Sequence, residues 1–202
     1  MSRFIVQLNR VDVLTLSGII TSTLAAAFAL QGLPYLAITW LFIAMLGDAL
    51  DGLWARKRGI ERAFGRYLDG FLDTFIYLAV PALVFWQLGF DGAWALLLWP
   101  WLMAGVVRLS VFNEVGNLKE SDGLAYLGMP VFWGVFILAA YALLGLVLPQ
   151  GLVNSLLALG LNAYAVAMLW HGRFFKFKQL SHIFALTLGC ALLFAIVQGV
   201  LA

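Results

Sequence analysis

Residues 48–73 read DALDGLWARKRGIERAFGRYLDGFLD, and the stretch joins two long apolar runs. Asp48 and Asp51 close the first run, Asp69 and Asp73 open the second, and a basic segment lies between them. On helices, a spacing of three or four residues places each pair of acids on one face. The link is short, so the two helices are expected to be antiparallel neighbours with four carboxylates at one depth. Outward from this point, residues 13–47 carry no charge and break at Gln31-Gly32-Leu33-Pro34; residues 123–172 carry none and break at Leu148-Pro149-Gln150-Gly151. Each piece is near the ~20 residues a helix needs to cross a bilayer. With the runs flanking Asp91 and the C-terminal run, the pattern predicts seven helices, near 13–30, 34–55, 66–88, 93–112, 127–148, 152–170 and 180–201.

Composition agrees. Of 202 residues, 64% are hydrophobic and 11% charged, with a mean hydropathy of +0.99. A soluble domain carries roughly 25% charged residues, so a soluble enzyme, a disordered chain and a nucleic-acid binder are all excluded. The expected class is all-α, a polytopic integral membrane protein forming a single domain over 1–202. The net charge of +2 implies no polyanionic partner, and the single cysteine, Cys190, cannot form an internal disulfide.

With seven spans, segments 1–12, 56–65, 113–126 and 171–179 share one side. All twelve Lys and Arg fall in them or, as Arg66 and Arg108, at adjoining helix ends; Asp91 is the one acid on the other side. The positive-inside rule makes that side cytoplasmic. The expected location is the cell (inner) membrane, with the N-terminus and the acid cluster on the cytoplasmic side. A cleavable signal peptide ending near Ala25-Ala26-Ala27 is the rival reading, but Asp12 and Pro34 fit a retained first helix better. Segment 1–11, with Phe4, Ile5 and Leu8 on one face beside Arg3 and Arg10, is expected to form a short interfacial helix. Trp94, Trp99, Trp101, Trp133 and Trp170 are expected to anchor the interfaces or to pack.

Intramembrane carboxylates are costly enough to mark function. Four of them together repel unless cations join them, and two divalent ions would balance four charges. Oxygen-only ligation points to Mg²⁺ or Mn²⁺ rather than Zn²⁺, since no His or Cys lies nearby. Gly52 and Gly65 allow close approach, Ala55 is small, and Arg56 can pair bidentately with phosphate oxygens. Lys57, Arg58, Arg62 and Arg66 are accounted for by sidedness and attraction to anionic headgroups.

Asp48, Asp51, Gly52, Ala55, Arg56, Gly65, Asp69 and Asp73 occupy every fixed position of the signature of the CDP-alcohol phosphotransferase family, which the chain therefore resembles. The resemblance implies a six-helix core, here with one more C-terminal span, a homodimer, and displacement of CMP from CDP-diacylglycerol by an alcohol. It makes Asp48, Asp51, Asp69 and Asp73 ligands of a two-metal centre and gives Asp73 the further role of general base. Gly52, Ala55, Arg56 and Gly65 would surround the CDP moiety.

Three further stretches resemble the phosphatidylserine synthase branch: Asp12-Val13-Leu14-Thr15, Arg108-Leu109-Ser110-Val111-Phe112-Asn113 with Leu127-Gly128-Met129-Pro130, and the aromatic and basic run Arg173–Lys178. They imply Thr15 at the CDP-lipid and Arg108 and Asn113 at the acceptor, with L-serine the favoured alcohol. Val111 and Gly70 depart from the branch, which has Arg and Ser there. Glycerol 3-phosphate, inositol phosphate or another alcohol remain alternatives, because Arg108 can bind a carboxylate or a phosphate. Arg108 also fits a snorkelling helix-end arginine, Asp12 an N-cap, and Thr15 and Asn113 local capping. His171 and His182 read as interfacial, and Lys119, Glu120 and Asp122 as a polar loop. From another class, the acids could line an ion pathway or belong to a silent subunit; neither accounts for a complete signature at one surface.

Overall fold

A computed structural model describes residues 5–116, 118–120, 123–175 and 180–201. Helix α1 (Arg10–Leu30) starts on a reciprocal cap. The Asn9 side chain accepts from the Val11 and Asp12 amides, and the Asp12 carboxylate accepts from the Asn9 amide at 2.7 Å. Asp12 is thus the third residue of the first turn, not the N-cap. Residues 5–9 are not helical, so the expected interfacial helix is absent from them; residues 1–4 lie outside the described residues.

Pro34, whose missing N–H costs nothing in a first turn, opens α2 (Pro34–Arg58), and Gly59 at φ 63° closes it in the left-handed region that glycine tolerates. The third span, Ala63–Gln87, is composite. Helix α3 (Ala63–Asp73) passes into a π-helical turn, Thr74–Ala79, and then into α4 (Val80–Gln87). Pro81 explains the interruption, because it has no N–H to offer the Tyr77 carbonyl one α-turn back. A 3₁₀ turn, Trp94–Leu97, leads into α5 (Leu98–Val115). Helices α6 (Trp133–Leu144), α7 (Gln150–Leu169) and α8 (Leu180–Leu201) complete the order.

Among the described residues, seven helical bodies lie where seven were expected, and six are long and apolar enough to cross a membrane. The fold is an all-α polytopic membrane protein. The fifth body departs from expectation, because α6 covers 133–144 rather than 127–148. At 1.5 Å per residue it reaches only about 18 Å. Gly128, at φ 75°, and Pro130 prevent an earlier start, and Gly145 caps the end. Helix α6 offsets its brevity by burial, with Val135, Leu138, Tyr141 and Ala142 all in the core.

Helix α2 is the axis of the bundle and packs against α1, α4, α6 and α8. Phe42 on α2 meets Phe136 on α6 edge-on at 5.4 Å and stacks on Phe194 of α8 at 6.2 Å. The Thr39 hydroxyl donates to the Ala191 carbonyl, tying the last helix to the centre. Trp101 is wholly buried against Phe85 and is a packing residue, whereas Trp99 and Trp170 are exposed. Exposed Val106, Leu159, Val166, Leu192 and Ile196 give the outer surface an apolar character suited to lipid.

Between α5 and α6, and again after α7, the chain forms strands instead of the expected loops. Strand β1 (Leu118–Glu120) pairs antiparallel with β2 (Gly123–Leu127), and β2 with β3 (Arg173–Phe175), in register Leu127 to Arg173. Three contacts bring the basic segments to one end of the bundle. Arg62 binds the Gln7 carbonyl at 3.1 Å; Arg66 lies against Gly116; β2 joins β3.

Candidate active site

The C-terminal half of α2 and the last turn of α3 supply the acids at this basic end, where α2 buries Asp51 and α3 buries Asp73. One carboxylate oxygen from each of Asp48, Asp51 and Asp69 lies within 4.8 Å of the others. Three acids so close need a cation or extensive hydrogen bonding. Asp73 stands beside them and lines the same cavity as Asp48 and Asp69. Its Oδ1 is buried without a hydrogen-bond partner among the described residues. A converging set of oxygen donors with one acceptor left over fits a hard divalent cation.

Two cavities meet at the cluster. The larger, of about 170 Å³, is mainly apolar and is lined by Asp48, Asp69, Asp73, Tyr77, Arg108, Phe112 and Tyr126, with Ile183, Leu186 and Thr187 from α8. The smaller, of about 100 Å³, is the more polar of the two and is lined by Asp12, Thr15, Asp51, Ala55, Arg62, Gly65 and Arg66. Gly52, Arg56, Asp69 and Phe112 border both. A Cβ at Gly52 would lie 3.3 Å from an Arg56 guanidinium nitrogen, so the missing side chain lets that cation fold back over α2. Gly65 has no comparably close neighbour, and its open side adds space to the smaller cavity beside Asp12.

The smaller cavity is held at its rim by an ion pair between Asp12, which is 2% exposed, and Arg62. Arg62, read from the sequence as a sidedness residue, therefore clamps α1 to the α2–α3 link. Thr15 faces this cavity, while its hydroxyl donates to the Val11 carbonyl at 3.1 Å.

Arg108 is buried, with its guanidinium carbon 5.6 Å from the Phe112 ring centre and its Nε unpartnered among the described residues. It enters the larger cavity and is not a snorkelling end residue. Asn113 lines neither cavity. It packs instead on Gly70, where a Cβ would come within 2.3 Å of its Nδ2. The glycine that departs from the branch pattern is what makes room for Asn113. His171 and His182 are exposed and line neither cavity.

Sequence reasoning missed Tyr77, Tyr126 and the α8 residues. Tyr77 could have been found, since it continues the Asp69, Asp73 spacing of four; its hydroxyl donates to Asp48 Oδ2 at 2.6 Å. Tyr126 arrives on β2, and no local pattern marks it. Burial, and then the Asp48 charge, push the Tyr126 phenol well above its ordinary range, so it remains a donor at neutral pH.

The site thus sets a carboxylate centre between a more polar and a more apolar cavity at one end of a helical bundle. Residues 8–200 match the CDP-alcohol phosphatidyltransferase family, and the chain belongs to it. Among its relatives, a phosphatidylcholine synthase of Pseudomonas aeruginosa is 30% identical over 141 residues, covering 66% of this chain and 56% of that protein. A CDP-diacylglycerol–serine O-phosphatidyltransferase of Methanocaldococcus jannaschii is 28% identical over 182 residues, covering 90% and 82%. One of Bacillus subtilis is 28% identical over 123 residues, covering 58% and 66%. The chain spans about half the length of the phosphatidylcholine synthases it matches.

Proposed function

We propose that the protein transfers the phosphatidyl group of CDP-diacylglycerol to a small alcohol with release of CMP, and that L-serine is the alcohol. The observation that carries this reading is the meeting of a polar and an apolar cavity at one carboxylate cluster. The polar cavity suits the CDP headgroup, with Thr15, Gly52, Ala55 and Gly65 around it and Arg56 beside its phosphates. The apolar cavity suits the glycerol backbone and the acceptor. Asp48, Asp51, Asp69 and Asp73 would hold two divalent cations, Mg²⁺ or Mn²⁺, whose contribution when bound is to offset charge on the pyrophosphate and the departing CMP.

The acceptor oxygen attacks the phosphorus that carries diacylglycerol, its bond to the CMP oxygen breaks, and the hydroxyl proton passes to the Asp73 carboxylate. An ordinary alcohol is far too weak an acid to ionise alone, and the buried, unpartnered Asp73 Oδ1 supports that assignment. Arg108 would receive the serine carboxylate. Asn113, placed against Gly70, would act on the acceptor only through α3.

Choline is the second reading. Tyr77, Phe112, Tyr126 and Phe132 line the apolar cavity beside carboxylates, a lining suited to a quaternary ammonium. The relatives named as phosphatidylcholine synthases favour it as well.

The test is purified protein with CDP-diacylglycerol, Mg²⁺ or Mn²⁺, and separately serine, choline, glycerol 3-phosphate or inositol phosphate, with CMP and lipid product measured. No CMP with any acceptor refutes the transferase. CMP with choline alone moves the acceptor and leaves the chemistry. The proposal also places the basic end on the cytoplasmic side of the cell membrane and the protein in a homodimer. Labelling of single cysteines from either side and mass measurement in detergent check these two points.

A further inference from the structure

Tyr77 lies on the π-helical turn that follows Asp73 and is 2% exposed. Its hydroxyl donates to Asp48 Oδ2 at 2.6 Å, a short bond of the charge-assisted kind. Asp48 is in turn one of the three acids whose oxygens converge within 4.8 Å. A carboxylate with one oxygen held by a buried donor has lost its free rotation, so its remaining lone pairs point in fixed directions. Such outer hydrogen bonds tune ligands in metal sites generally, and their loss typically costs 10- to 100-fold in metal affinity or activity.

The backbone holds the phenol in place. The turn is interrupted ahead of Pro81, and a Cβ at Gly134 would lie 3.3 Å from the Tyr77 carbonyl oxygen, so α6 packs directly on this turn. The next residue, Leu78, fills the space over Gly105 of α5. Tyr77 is therefore anchored from two neighbouring helices while its hydroxyl reaches across to a third. Nothing in the proposed proton transfer uses it.

We propose that Tyr77 is a positioning residue that orients Asp48 as a ligand for the divalent cation. The inference rests on the reading of the aspartate cluster as a metal centre. It is tested with Tyr77→Phe, which removes only the hydroxyl and keeps the ring packing, alongside wild type and Asp48→Asn, all in nanodiscs. Mn²⁺ is titrated and the free ion read by its electron paramagnetic resonance signal, with no turnover required. The expected result for Tyr77→Phe is Mn²⁺ binding weakened about 10- to 100-fold. In parallel, the metal concentration for half-maximal CMP release rises by the same factor.

Mn²⁺ affinity within twofold of wild type overturns the proposal, whatever happens to turnover. A loss of kcat that excess metal does not restore also overturns it, because Tyr77 would then act on substrate. A variant that fails to assemble assigns the hydroxyl to stability and overturns it too. Wild type that binds no Mn²⁺, or Asp48→Asn that binds it normally, removes the metal-centre reading itself, an outcome distinct from failure of Tyr77 alone.

Discussion

Replacing Arg108 with lysine separates the candidate acceptors. Arg108 is 4% exposed, lines the apolar cavity, and keeps a buried Nε without a partner among the described residues. A carboxylate or phosphate entering the cavity can take two parallel hydrogen bonds from it, each charge-assisted bond contributing about 1.5–3 kcal/mol. Lysine keeps the charge but not the planar fork, so about one such bond is lost. At about 1.4 kcal/mol per tenfold, KM for serine rises roughly 10- to 100-fold. KM for CDP-diacylglycerol stays within about twofold, since the polar cavity on the other side of the cluster does not include Arg108. The assay is CMP release from CDP-diacylglycerol in mixed micelles, with serine and lipid varied separately. A serine KM within threefold of wild type, or a rise confined to the lipid substrate, would refute the assignment of Arg108 to the acceptor. A protein active on choline whose choline KM ignores the substitution would favour the aromatic wall instead.

The remaining expectations concern chemistry and stability. Asp73→Asn abolishes turnover while CDP-diacylglycerol binding persists, checked by single-turnover CMP release and by ligand-induced thermal shift; activity near wild type would remove Asp73 from the general-base role. Gly128→Ala forces a side chain into φ 75° and within 2.4 Å of the Met168 carbonyl oxygen. Left-handed backbone alone costs about 1–2 kcal/mol, so the melting temperature in detergent should fall by at least about 2 °C. Asp12→Ala removes both the cap on Asn9 and the partner of Arg62. Loss of a cap costs about 0.5–2 kcal/mol, and the variant should melt a few degrees lower and bind CDP-diacylglycerol more weakly; unchanged binding would show that the rim of the polar cavity is not shaped by this pair.

Helix positions were legible because hydropathy and helix punctuation are local properties. Pro34 and Gly59 bound α2 where the pattern placed it within three residues, and α8 runs Leu180–Leu201 as expected. The fifth span was overextended because apolar content alone does not distinguish helix from the β2 strand and the Gly128–Pro130 break. The strands were invisible for a related reason, since β3 forms by pairing residues 173–175 with 125–127, far apart in sequence, and β1 joins the sheet only through β2. Arg62 was read as a sidedness charge because its partner, Asp12, lies fifty residues away.

The sequence by itself determined that the chain lives in a membrane, where its helical bodies fall, and that its signature acids gather at one end. Those properties follow from residue-by-residue transfer energies and from the repeat of the helix, neither of which needs a partner. Only the tertiary structure decided what surrounds the acids. The division into polar and apolar cavities, the Tyr77 donor on Asp48, the entry of Tyr126 and α8 into the wall, and the diversion of Asn113 onto Gly70 all depend on how closely separate helices approach. That approach is set by where glycine leaves room and by which side chain fills it.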